Sequence, residues 1–190
     1  MLKIQTGSII LSFLLGSAAV VAQKSVEYFK GYVVTSVGDT LKGEIRVNNK
    51  SQIEAFDKVT YQNGPTDKRS FRANKAKSYS VNGDFYVSKK VEDKFVFLKQ
   101  LSGGAVTLYE HKTEQFVMND IRVYTDYYMQ KGDGELIQIK ESKYRKQLAE
   151  IMSDNPALIK DIQNKKYNFD KLVDIFEKYN NPKDNEDKEG

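Results

Sequence analysis

The chain has 190 residues, 39% hydrophobic, 29% charged and 12% aromatic, with 3 Pro; that balance fits one packed domain and excludes disorder as the global state. Zero Cys and a single His, His111, exclude a disulfide framework, thiolate metal sites, cysteine nucleophiles and His-pair metal motifs. A formal charge of +4 lacks the basic concentration of a nucleic-acid binder.

The first 22 residues have Lys3 as their only charge, then Ile9-Ile10-Leu11-Ser12-Phe13-Leu14-Leu15, then small residues ending Val20-Val21-Ala22. That order matches a secretory signal cleaved after Ala22. The run is shorter than the ~20 apolar residues of a spanning helix. We therefore expect an exported protein, periplasmic, surface-associated or secreted, with no transmembrane span in the mature chain. Residues 23–182 are expected to form one α+β domain, with 23–140 β-rich and 141–182 helical.

From Gln23 to about Lys140 the apolar period is two. Turn signals punctuate it at Val37-Gly38-Asp39, Asn63-Gly64-Pro65, Asn82-Gly83, Ser102-Gly103-Gly104, Asn119-Asp120 and Gly132-Asp133-Gly134, leaving strand-length segments between them. The pattern predicts an antiparallel β-meander, either a strongly curved sheet or a partly open barrel. In the first hairpin Leu41, Ile45 and Val47 share one face and Lys42, Glu44 and Arg46 the other. The basic run Lys68, Arg69, Arg72, Lys75 and Lys77 is expected in a solvated loop. Asn82-Gly83 predicts a type I′ hairpin between Ser78–Val81 and Phe85–Val87. Phe95-Val96-Phe97-Leu98 puts apolar groups on both faces, so that strand should be central, with helices as its cover. Farther on, Ile121, Val123, Thr125, Tyr127 and Met129 fall on one face and are expected in the core. Arg122, Tyr124, Asp126 and Tyr128 fall on the other.

Three helices are expected after Lys140. Ser142 is expected to cap the first, which carries Tyr144, Leu148, Ile151 and Met152. Asn155-Pro156 starts the second, since Asn caps well and Pro suits the first helical position. The third begins near Asn168 and carries Phe169, Leu172, Val173, Phe176 and Tyr179, ending at Asn180-Asn181-Pro182. Burying such side chains contributes roughly 1.5 to 3 kcal/mol each, so these stripes should dock on the sheet. Residues 183–190 are expected to be disordered.

The order Gly31-Tyr32-Val33-Val34, Gly38-Asp39-Thr40-Leu41-Lys42-Gly43-Glu44-Ile45, Phe97-Leu98-Lys99-Gln100-Leu101, Val106-Thr107-Leu108-Tyr109, Asp154-Asn155-Pro156-Ala157-Leu158 and Tyr179-Asn180 resembles uncharacterised exported proteins of Bacteroidetes-type bacteria. The resemblance spans most of the mature chain. It implies export and carries over no catalytic residue. It also implies relatives in which such a domain precedes an outer-membrane barrel, and this sequence, stopping after the third helix, departs from that arrangement.

The search for chemistry is mostly negative. His111 has Glu110 and Glu114 near it in sequence, yet no nucleophile motif surrounds any Ser, and a lone exposed strand-end histidine is the plainer expectation. Asp120, Asp126, Asp133 and Glu135 supply carboxylates with no sign that two meet across a cleft. No cofactor, metal or phosphate-binding motif is found. The candidate binding surface is the face of Arg122, Tyr124, Asp126 and Tyr128, where flat amphipathic rings beside charges suit a glycan or peptide. Three functions follow in order: a non-enzymatic exported interaction module with an envelope protein or glycan partner; a small-ligand carrier, for an apolar molecule or sugar, with a pocket between sheet and helices; and a carboxylate-dependent exported hydrolase using Asp126 and Asp133.

Overall fold

The computed structural model describes residues 26–48, 51 and 53–182. The expected signal at 1–22 and tail at 183–190 lie outside them. Ten strands run in chain order: β1 (Glu27–Thr35), β2 (Thr40–Val47), β3 (Lys58–Asn63), β4 (Asp67–Arg72), β5 (Ala76–Val81), β6 (Asp84–Val91), β7 (Lys94–Ser102), β8 (Val106–Val117), β9 (Asp120–Lys131) and β10 (Ile137–Ile139). A one-turn helix, α1 (Glu54–Asp57), sits between β2 and β3, and α2 (Tyr144–Ile151), α3 (Pro156–Gln163) and α4 (Leu172–Asn180) follow β10. The protein is therefore α+β, an antiparallel sheet with helices packed on it. Among the described residues no helix is long and apolar enough to cross a membrane.

All ten strands form one open sheet in the order β10-β9-β8-β7-β6-β5-β1-β2-β3-β4. This corrects the expected single meander and its barrel-like closure. Two meanders meet where β5 pairs with β1 instead of β4. The reason is visible at Gly31, which lies opposite both Gly43 and Val81. A Cβ there would stand 2.2 Å from the Ser80 carbonyl oxygen and 2.8 Å from an Ile45 side-chain carbon. Only glycine lets the strands approach this closely.

The Asn82-Gly83 hairpin forms as expected, with both residues at positive φ (52° and 85°), the geometry a type I′ turn requires. The basic run is a correction, because Lys68, Arg69 and Arg72 lie on edge strand β4 and not in a loop. Charged side chains on an edge discourage pairing with another sheet.

One face of the sheet carries two apolar clusters. In the first, α2, α3 and α4 bury Leu148, Met152, Leu158, Ile162, Ile175 and Phe176 against Val106, Leu108, Met129 and Ile139. In the second, Phe56 of α1 packs among Val33, Ile45, Val59, Tyr79, Tyr86 and Phe97. On the opposite face Leu98, Tyr109 and Tyr128 form a smaller cluster beside Leu136 of the β9–β10 connection. Phe97 and Leu98 are fully buried on opposite faces, but side chains and a loop cover Leu98 where helices were expected.

The C-terminal helices keep their expected places with two changes at their starts, one of them at the third helix, where Phe169–Lys171 form a 3₁₀ turn and α4 begins at Leu172. Asn155 Oδ1 accepts from the Leu158 amide at 3.1 Å and Pro156 occupies the first turn of α3. Ser142 instead falls inside a 3₁₀ turn, Glu141–Lys143, and makes no cap. Gln147, within α2, ties the helix back to the end of β10. Its Oε1 accepts from the Lys140 amide at 2.9 Å and its Nε2 donates to the Gln138 carbonyl at 2.7 Å. α1 went unforeseen because four residues are too few to show a helical period.

Candidate functional site

The β8–β9 hairpin outgrows its neighbours. Each strand has 12 residues, paired from Val106↔Lys131 to Val117↔Asp120. On one side β7 pairs with β8 only as far as Glu110. On the other, β10 pairs with β9 only over Tyr127–Met129. Residues beyond those limits form a two-stranded arm turned by Met118 and Asn119, both at positive φ.

Alternation divides this arm into two faces. One carries Phe116, Ile121 and Val123, with Phe116 directly opposite Ile121. They are 74%, 62% and 40% exposed, and Met118 at the tip is 93% exposed. Ile121, Val123 and Thr125 therefore depart from the expected core. The alternation was correct, but sheet and helices stop short of them, so only Tyr127 and Met129 reach the packed layer.

The opposite face carries the sequence-derived candidates. Arg122 lies opposite Gln115, Tyr124 opposite Thr113, Asp126 opposite His111 and Tyr128 opposite Tyr109. Arg122 and Tyr124 are exposed. Asp126 is half-buried and accepts from Gln138 Nε2 at 3.1 Å. Tyr128 is buried with Leu98 and Tyr109. Burial, helped by Asp126 and Glu92, pushes its phenol up to about 12. Four residues on one face thus grade from open to closed along the strand.

His111 is neither exposed nor at a strand end. It sits in the middle of β8 with its ring edge-on to Phe56, centroids 5.5 Å apart. Burial lowers its pKa, with Asp126 opposing. Of the other carboxylates, Asp120 opens β9 at the arm tip and Asp133 lies in the exposed β9–β10 turn. Among the described residues, no three His, Asp or Glu side chains gather into a metal-holding group.

A second feature gave no sequence signal. A cavity of about 480 Å³ lies beside α1, lined by residues of β1, β2, β3, β5, β6, β7 and β8. Its lining includes a stacked pair, Tyr79 and Tyr86, with centroids 4.5 Å apart and planes 2° from parallel. The Tyr79 hydroxyl donates to the Ala55 carbonyl at 2.6 Å and so ties α1 to the sheet. Glu54 strengthens the tie, accepting from Asn48 and pairing with Arg46 at 3.3 Å and Lys58 at 3.8 Å. The cavity assembles from strands far apart in sequence, and no local motif announces it.

No protein-family model, no curated protein and no solved structure matches this chain.

Proposed function

We propose that this protein is a non-enzymatic exported interaction module whose contact element is the β8–β9 arm. One observation carries the reading. Phe116, Met118 and Ile121 stand open to solvent on a ribbon that no other described element covers. Exposed apolar side chains grouped on a projecting element mark surfaces built for association. Arg122 and Tyr124 on the reverse face add residue types enriched at protein interfaces. The signal-like first 22 residues support export, and an envelope protein is the partner expected.

The test is capture from envelope extracts with the full chain and with a Phe116→Ser/Ile121→Ser variant. The wild type should retain a partner that the variant loses. A partner held equally by both, or none alongside turnover of a substrate panel, would overturn the reading.

A further inference from the structure

The cavity beside α1 is independent of the arm and has the features of a built site. Its volume of about 480 Å³ falls in the range of small-molecule pockets. Its inner lining is apolar and buried, with Ile45, Phe56, Tyr79, Val81 and Tyr86 each less than a tenth exposed.

Tyr86 is the informative member. It is 7% exposed and its ring is held by the stack on Tyr79 and an edge contact to Phe56 at 5.9 Å. While Tyr79 commits its hydroxyl to Ala55, the Tyr86 hydroxyl has no hydrogen-bond partner among the described residues. The hydroxyl is not among the buried polar atoms left without a partner, so it opens onto the cavity, where a polar group of a ligand would take the place of water.

Arg46 and Lys58 on the α1 side of the cavity pair with Glu54, and on the wall formed by β6, β7 and β8 the charges alternate. Asp84 stands beside Tyr86 on β6, Lys99 on β7, and Glu110 and Lys112 on β8. Asp84 pairs with Lys99 at 2.8 Å and Glu110 with Lys112 at 3.7 Å. These pairs are partly exposed, between 15% and 43% by side chain, and pairs of that kind hold together by little, so exchanging partners costs little. On this wall a ligand with one net charge would leave an acid or a lysine uncompensated. A zwitterion replaces both members of the pairs at once, its carboxylate taking a lysine and its ammonium an acid.

We infer that this cavity binds a small zwitterion with an apolar body, of the free amino acid or dipeptide class. The carboxylate lies toward Lys99 and Lys112, the ammonium toward Asp84 and Glu110, and the apolar side chain on the aromatic lining, with Tyr86 hydrogen-bonded to a polar group between them.

The experiment is calorimetric titration of the full chain with leucyl-phenylalanine, its N-acetyl form and its C-terminal amide. The free dipeptide should bind saturably, and each blocked form should bind roughly tenfold or more weakly, the effect of losing one charged hydrogen-bonded contact. Lys112→Gln and Glu110→Gln should each weaken the free dipeptide and shrink its advantage over one blocked form. Tyr86→Phe, which keeps the ring stack, should weaken it a few-fold, about the effect of one neutral hydrogen bond. Should Tyr86→Phe fail to fold, the two charge variants on β8 decide alone. The Phe116→Ser/Ile121→Ser variant should bind the dipeptide normally, which separates this site from the arm. No saturable heat with the free dipeptide, or equal binding of the blocked forms, overturns the proposal.

Discussion

Asn180, the last residue of α4, brackets the backbone of Val106 at the start of β8. Its Oδ1 accepts from the Val106 amide at 3.2 Å and its Nδ2 donates to the Val106 carbonyl at 2.9 Å, with a further contact to Ser102 Oγ at 3.3 Å. The side chain thus acts as one more rung of the sheet, delivered by a helix, and fixes the helical layer to the β7–β8 turn. Gly104 makes room for it. A Cβ there would stand 2.4 Å from Asn180 Cγ, at a φ of +153° that side chains rarely adopt.

Replacing Asn180 with Ala strands both backbone groups of a fully buried residue and should cost about 2 kcal/mol, within the range for unsatisfied buried polar groups. Gly104→Ala should also destabilise, because it meets the Asn180 side chain. Combined with Asn180→Ala it should cost less than the sum of the two. Urea unfolding of the single and double variants measures both.

The arm and the packed layer should respond differently to truncation. Phe116→Ser and Ile121→Ser remove exposed side chains and should change unfolding free energy by no more than about 0.5 kcal/mol. Phe176→Ala opens a cavity at a residue with 0% exposure and should cost about 3 to 5 kcal/mol. Thermal unfolding should order the three variants in that way.

Stability should decline in alkali. Burial raises the phenols of Tyr79, Tyr86, Tyr109 and Tyr128 above their ordinary range, Tyr128 to about 12. The folded chain therefore keeps protons that the unfolded chain releases near pH 10. Their contribution is complete below that pH and is lost as pH rises toward 12. Unfolding titrations at stepped pH, followed by tyrosinate absorbance, should show the decline, and Tyr128→Phe should lessen it.

The entry to α2 depends on Gln147. Its two hydrogen bonds, with the Lys140 amide and the Gln138 carbonyl, tie the helix to the end of β10, while the first turn of α2 has no side-chain cap. Gln147→Ala should cost about 1 kcal/mol, the usual net contribution of an intramolecular hydrogen bond, whereas Ser142→Ala should be near neutral. Chemical denaturation of the pair distinguishes them.

Local periodicity made much of this fold legible. Asn82-Gly83 fixed a hairpin because positive φ at two adjacent residues leaves few alternatives, and Asn155-Pro156 fixed a helix start for a similar reason. Strand order was not legible, since the joining of β5 to β1 depends on Gly31, which faces Val81 and leaves room for the Ser80 carbonyl, a value that appears only once the strands touch. The candidate face on β9 was right in its alternation, but sequence did not show where the cover ends, and Tyr124 and Tyr128 look alike in the chain. The cavity lay beyond reach altogether, because Phe56, Tyr86 and Lys112 meet only after seven strands are in place.

The β1–β5 joint governs the order in which the molecule can be assembled. Every other neighbouring pair in the sheet is consecutive in the chain, so those ladders can zip from nearby turns. β1 leads the described chain yet ends as an interior rung flanked by β2 and β5. It must wait, half-paired, until β2, β3 and β4 have been made and β5 returns. Closing that long loop is entropically costly before its contacts form, so among the described strands this is the one ladder of the sheet that no short turn can start.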